Sequence, residues 1–187
     1  MLKIGEKAPS FTAQAFQNEE IKFIKLDDYK GKWVILMFYP GDFTFICPTE
    51  LYEVASMYDK FKELGAEILG ISTDSVHVHK AWHDTSKAVR NVTFPLISDK
   101  NGSISRSYHT YLENDGESLR GTFIINPEGI LKTIEIHDNS IGRNANELLR
   151  RLQAAKFTSE NQGQVCPASW TPGKETLKPG LNLVGKI

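Results

Sequence analysis

"KGKWVILMFYPGDFTFICPTE", residues 30–50, sets the architecture of the chain. Gly31 marks a turn, and the nearly continuous apolar run after it has the character of a strand buried on both faces of a sheet. From Pro48 onward Leu51, Val54, Ala55, Tyr58 and Phe61 recur at helical spacing, and Gly65 ends the run. A buried strand leading into a helix is the opening unit of an α/β sheet. Cys47 falls at the junction, at the carboxyl end of the strand, where open α/β sheets take their ligands.

On the amino-terminal side, "SFTAQAF" and "IKFIKL" flank "QNEE" and predict a β-hairpin. On the carboxyl side, "AEILGIS" reads as a second buried strand, followed by a polar-to-mixed helix over residues 75–89. "FPLIS" is a short strand and "DKNGS" a turn. "GTFIINPEGILKTIEIH" holds two strands joined at Asn126–Gly129, a good hairpin turn. "NANELLRRLQAAKF" places Ala145, Leu148, Leu149, Leu152 and Ala155 on one helical face. This β-α-β-α order, then a hairpin and a helix, predicts an α/β thioredoxin-like fold. Its central mixed β-sheet is flanked by helices, with an N-terminal hairpin extension and an extended C-terminal arm. Residues 1–157 form the expected domain. The arm, residues 158–187, is rich in Pro, Gly, Ser and Lys and lacks sustained periodicity.

Composition narrows the function classes. The chain has 187 residues, 40% hydrophobic and 24% charged, with a net charge of -1. That balance gives no electrostatic footprint for nucleic acid or an anionic membrane. "MLKIGEKAPSF" has no apolar signal core, and the longest apolar run is far too short to span a bilayer. A cytoplasmic location is the expectation. Two cysteines in such a chain read as free, reactive or transiently paired rather than as a permanent staple.

Cys47 sits where its chemistry can be tuned. If Pro48 is the first helical residue, Cys47 is the N-cap; if Thr44 is the cap, Cys47 lies inside the first turn. Both registers turn unpaired N–H groups and the positive end of the helix dipole toward the sulfur, which favours the thiolate. The alternative is an inert core cysteine. Donors to charge developing on a reacting atom come from the Thr44 hydroxyl, the turn N–H groups and an arginine. Thr44 is equally an ordinary cap, and Arg120, before "GTFIINP", equally a solvated charge at a strand end. His77, His79 and His83 look metal-like, but only His79 and His83 share a helix face, with no further ligand in register. Asp99 to Gly102 begins like a calcium loop but lacks the closing acid and reads as a turn. Asn91-Val-Thr93 is a glycosylation sequon only in a secreted chain.

Pro40-x-x-x-Thr44-x-x-Cys47 resembles the peroxidatic signature of the peroxiredoxins. "FYPGDFTFICPTE", "STDSVHVHKAWH", "RGTFIINPEG", "GQVCPASW" and the ending "LVGKI" resemble the typical 2-Cys group, in particular its bacterial alkyl hydroperoxide reductase C branch. The likeness spans essentially the whole chain, in order. It implies a thiol peroxidase with no metal, flavin or other cofactor of its own. By this resemblance Cys47 is the peroxidatic cysteine and Cys166 the resolving cysteine. Thr44 bonds the reacting oxygens, Pro40 shields them, and Arg120 holds the thiolate. Glu50 and Arg143 belong to the charged network that positions the arginine; Glu50 alone is also a favourable first-turn acid.

The resemblance further implies a peroxide substrate and an intersubunit disulfide in a homodimer that assembles into a ring-shaped decamer. The reductant is a flavoprotein disulfide reductase or a thioredoxin-like protein. "SDKNGSISRSY" lacks the Gly-Gly-Leu-Gly insertion of sensitive relatives, so relative resistance to overoxidation is expected. A holdase chaperone working through exposed apolar surface, or a redox sensor passing its disulfide onward, are the other function classes. A thioredoxin-type oxidoreductase is disfavoured because Cys47 is not in a C-x-x-C pair.

Overall fold

The structure, a computed structural model, describes residues 2–186, so the last residue of the predicted arm, Ile187, lies outside the described residues. The chain divides between Ala145 and Asn146 into two compact units.

In the first unit, β1 (Thr12–Gln17) and β2 (Glu20–Lys25) form the predicted hairpin. Its turn is tighter than "QNEE" suggested: Asn18 and Glu19 alone make it, with φ of 50° and 64°, the positive values a two-residue hairpin turn demands. Next come β3 (Trp33–Phe38), α1 (Cys47–Ser56), α2 (Tyr58–Glu63), β4 (Ala66–Ser72), α3 (Val76–Thr85) and β5 (Leu96–Ser98). They are followed by α4 (Ser103–Ser107), the small hairpin of β6 (Tyr111–Leu112) and β7 (Glu117–Ser118), then β8 (Arg120–Ile125) and β9 (Leu131–His137).

The main sheet runs β2-β1-β5-β4-β3-β8-β9. The pairs β3–β4 and β4–β5 are parallel, while β1–β5, β3–β8 and β8–β9 are antiparallel, so the sheet is mixed. Every residue of β3 is buried, as its unbroken apolar run requires. Val34, Leu36 and Phe38 join one core with Leu69, Ile71, Phe123 and Ile125; Ile35 and Met37 point to the opposite face. Burying each such side chain contributes roughly 1.5–3 kcal/mol. Helix α3 packs on β1 and β5, and α2 beside β4.

Two local features depart from the sequence pattern. The single helix expected after Pro48 breaks at Met57 (φ −110°, ψ 4°) into α1 and α2. At the break the Ser56 hydroxyl donates to the Glu53 carbonyl, a local bond that competes with helix continuation. The "DKNGS" turn leads directly into α4, because the Asp99 carboxylate accepts the N–H groups of Ile104 (2.9 Å) and Ser105 (2.7 Å). Ile104 and Tyr108 thereby enter the core beside Phe38 and Phe123.

The second unit is built on α5 (Ala145–Glu160). The helix donates the Phe157 ring, 4.9 Å from that of Trp170, and the Arg150 guanidinium, which donates to the Trp170 carbonyl. The Trp170 indole N–H closes a turn onto Lys174 O at 3.1 Å. Among the described residues beyond α5, regular structure is limited to a bridge between Val165 and Leu177 and a 3₁₀ turn at Leu181–Leu183. No helix among them is long and apolar enough to cross a membrane.

Candidate active site

Cys47 is delivered by the connection from β3 to α1. Its helical register lies between the two read from sequence: Ile46 is the N-cap, Cys47 the first helical residue and Pro48 the second. Proline is tolerated there because first-turn N–H groups have no helical acceptor. The sulfur thus meets the positive end of α1. Cys47 has 0% exposure, so a peroxide reaches it only when the loop before it moves.

Arg120, the first residue of β8, reaches the sulfur across the strand next to β3. Its Nε and Nη2 donate to the Asn139 carbonyl at 3.1 and 2.9 Å. That grip frees Nη1, whose two hydrogens go to Cys47 Sγ at 3.3 Å and Glu50 Oε2 at 2.8 Å. Glu50 stands three residues along α1 from Cys47, on the same helix face.

Arg143 holds Glu50 from the other side. Its Nε and Nη2 donate to Oε1 and Oε2, both at 2.9 Å, and its backbone N–H donates to Oε1 at 2.8 Å. Its Nη1 is fixed by Gly121 O at 2.9 Å and Thr122 Oγ1 at 3.1 Å. Burial by itself pushes the Glu50 carboxyl up. The hydrogen bonds and charge of Arg143, with the charge of Arg120, outweigh it and hold the group below its ordinary range. Two guanidiniums and one carboxylate leave one positive charge, which a thiolate at residue 47 balances. At an effective dielectric constant near 20, opposite charges about 4 Å apart attract by about 4 kcal/mol.

The structure therefore brings together Cys47, Arg120, Glu50 and Arg143. Pro40 is buried and Thr44 half-buried in the loop upstream. The Thr44 hydroxyl donates to Gly41 O at 2.8 Å, which leaves its lone pairs able to accept. Cys166 lies in the second unit, partly exposed, and both cysteines are free. Burial pushes the Cys166 thiol up, against the pull of the Arg150 charge.

Sequence reading missed the Asn139 and Gly121 carbonyls and Thr122, which orient the two arginines. A backbone acceptor carries no signature in the side-chain pattern. His79 and His83 do not converge: His79 Nδ1 is 2.7 Å from Asp42 Oδ2, whereas His83 stands near Glu19 and Asp84. Lys80 Nζ lies between those two carboxylates, 2.7 Å from Glu19 and 2.9 Å from Asp84, and already compensates them.

Comparison with known proteins fits this geometry. Residues 4–134 match the AhpC/TSA family, and residues 154–182 match the C-terminal domain of 1-Cys peroxiredoxin. The chain is 45% identical to the alkyl hydroperoxide reductase C of Bacillus subtilis (strain 168) over 187 residues, all of both chains. It is 47% identical to that of Amphibacillus xylanus over 188 residues, again with full coverage of each. Among solved structures, Enterococcus faecalis AhpC superposes with a TM-score of 0.86 at 40% identity, over 89% of this chain and all of that one. The reduced 2-Cys peroxiredoxin of Plasmodium vivax gives 0.91 at 37% identity, over 95% of this chain and 93% of that one. With its own arginine-held thiol at the mouth of a thioredoxin-like sheet, the chain belongs to the AhpC/TSA family and is a peroxiredoxin, a thiol-dependent peroxidase.

Proposed function

We propose that Cys47 reduces hydrogen peroxide and organic hydroperoxides, and that Cys166 of a partner subunit resolves the product. The observation that carries this reading is the single Arg120 nitrogen that donates to both Cys47 Sγ and Glu50. The Cys47 thiolate attacks one peroxide oxygen. An S–O bond forms, the O–O bond breaks, and the departing oxygen takes up a proton to leave as water or alcohol. Arg120 stabilises the charge as it passes from sulfur to the leaving oxygen. The Thr44 hydroxyl aligns the peroxide oxygens, and Pro40 excludes water. Glu50 and Arg143 keep Arg120 in place and do not touch the substrate.

The Cys166 thiolate then attacks the sulfenic sulfur, forming the disulfide and expelling hydroxide, which is protonated to water. The raised Cys166 thiol suits a group that stays protonated, and so unreactive to peroxide, until its turn comes. Disulfide geometry needs the two Cα atoms within about 7 Å, so the segment bearing Cys47 unwinds and the arm, residues 158–187, rearranges. An external dithiol, from a flavoprotein disulfide reductase or a thioredoxin-like protein, then takes the oxidation and restores both thiols. Family membership supports a peroxide substrate and a reductant in general; the homodimer, the ring-shaped decamer and the cytoplasmic setting are our extension of it. The unextended "SDKNGSISRSY" segment supports rapid resolution and relative resistance to overoxidation.

Anaerobic titration of the reduced protein with hydrogen peroxide, followed by non-reducing mass analysis, tests the scheme. One equivalent should yield a Cys47–Cys166 crosslink between two chains, and Cys166→Ser should stop at a trappable sulfenic acid on Cys47. A crosslink that omits Cys47, or one formed within a single chain, would overturn it.

A further inference from the structure

Asp42 lies in the loop between β3 and α1, two residues after Pro40 and two before Thr44. Neither its side chain nor that of His79 has any exposed surface. Its Oδ1 accepts the Tyr39 hydroxyl at 2.8 Å, its Oδ2 lies 2.7 Å from Nδ1 of His79 on α3, and its N–H donates to Asp74 Oδ2 at 2.8 Å. Asp74 is itself held, accepting Ser72 Oγ at 2.8 Å on its carboxylate and Ser98 Oγ at 2.7 Å on its carbonyl. The ends of β3, β4 and β5 and a face of α3 thus converge on one loop residue. The neighbouring Phe43 takes a φ of 56°, rare for an aromatic residue, with its ring 6.1 Å from that of Trp82.

Such a device needs a reason beyond holding the chain together. A buried ion pair is weak support for stability compared with apolar packing of the same volume. This one also leaves His79 Nε2 buried with no partner, an unfavourable arrangement that native proteins rarely keep. Burial pushes the Asp42 carboxyl up, with the His79 hydrogen bond opposing it. What the pair supplies that packing does not is direction, fixing the loop in distance and angle at one residue.

We propose that Asp42 and His79 are positioning residues of the peroxidase, a clamp that fixes Pro40 and Thr44 while the Cys47 segment beyond them remains free to move. This rests on the assignment of Cys47 as the attacking thiol. Misplacement by about 1 Å lowers rates by roughly a hundredfold, so a released loop slows the peroxide step. Disulfide formation, which requires the downstream segment to unwind, gains or is unchanged.

The test is rapid mixing of reduced full-length protein with hydrogen peroxide, resolving Cys47 oxidation from the later disulfide step. Asp42→Ala and His79→Leu should slow oxidation by roughly tenfold or more while the disulfide step holds its rate or quickens. Asp42→Asn and His79→Asn, which retain a hydrogen-bonding atom at the contact, should restore most of the oxidation rate. The clamp is refuted if the apolar variants oxidise like the parent, if the Asn variants lose as much as they do, or if both steps fall together. A parent protein inert to peroxide would instead overturn the assignment of Cys47.

Discussion

Replacing Glu50 by Gln removes the one carboxylate that separates two buried guanidiniums. The side chains of Arg120 and Arg143 are 4% and 6% exposed, so water cannot take over the compensation. Breaking a buried pair of this kind costs about 3–5 kcal/mol, and the Cys47 thiolate, still bonded to Arg120, places this case near the lower end. The Glu50 carboxyl titrates below its unfolded value of 4.5 in the native state. Its contribution is therefore complete above the unfolded value and disappears as pH falls through the lower folded value. Urea unfolding of the reduced protein, at fixed protein concentration, should show Glu50→Gln about 3 kcal/mol less stable than the parent near neutral pH. The two should converge in acid, below the unfolded value. Adding Cys47→Ser should destabilise the Glu50→Gln variant more than it destabilises the parent, by about 1 kcal/mol or more, because it removes the last anion facing two cations. A neutral-pH difference under about 0.5 kcal/mol, or one unchanged between neutral and acid, would refute the charge-balance reasoning.

Arg120→Met should cut the rate of Cys47 oxidation by roughly a hundredfold or more. Arg120→Lys should recover only part of it, since one ammonium cannot hold Asn139, Glu50 and the sulfur together; competition against a second peroxidase reads both. Thr44→Val should lower the same rate by roughly tenfold to a hundredfold and destabilise the fold by about 1 kcal/mol through the bond lost to Gly41, whereas Thr44→Ser should stay close to the parent. The rate of disulfide formation should climb with pH from about 6 to 8, because the thiolate fraction of a raised Cys166 grows about tenfold per unit below its pKa. A plateau already at neutral pH in stopped-flow traces would show that another step limits.

The sheet was legible because its strands are written as apolar runs: β3, β4 and β8 need no tertiary information beyond their own residues. Cys47 was legible for a related reason, since a cysteine and a proline directly after a buried strand mark a helix start. The break at Met57 was not, because the apolar spacing continues through it from Val54 to Phe61 and only a hydroxyl bonded to a carbonyl distinguishes it. Helix α4 was hidden behind its own cap, Asp99, whose neighbours read as a loop. Arg120 and Glu50 are separated by 70 positions, a pairing that periodicity cannot express and that the family resemblance alone suggested. Asp42 and His79 escaped because each looked ordinary in its local setting, one a loop acid and the other a helix histidine.

The break after Ser56 also limits how far α1 can peel. With α2 starting afresh, loss of the first turn of α1 need not propagate into it, and the ionic hold of Arg143 on Glu50 acts as a stop. Only Cys47, Pro48 and Thr49 then unreel like a short tether, letting the sulfur swing through about 10 Å at full stretch. The remaining approach to a disulfide falls to the carrier of Cys166, so lengthening that tether by a residue should widen the choice of partners.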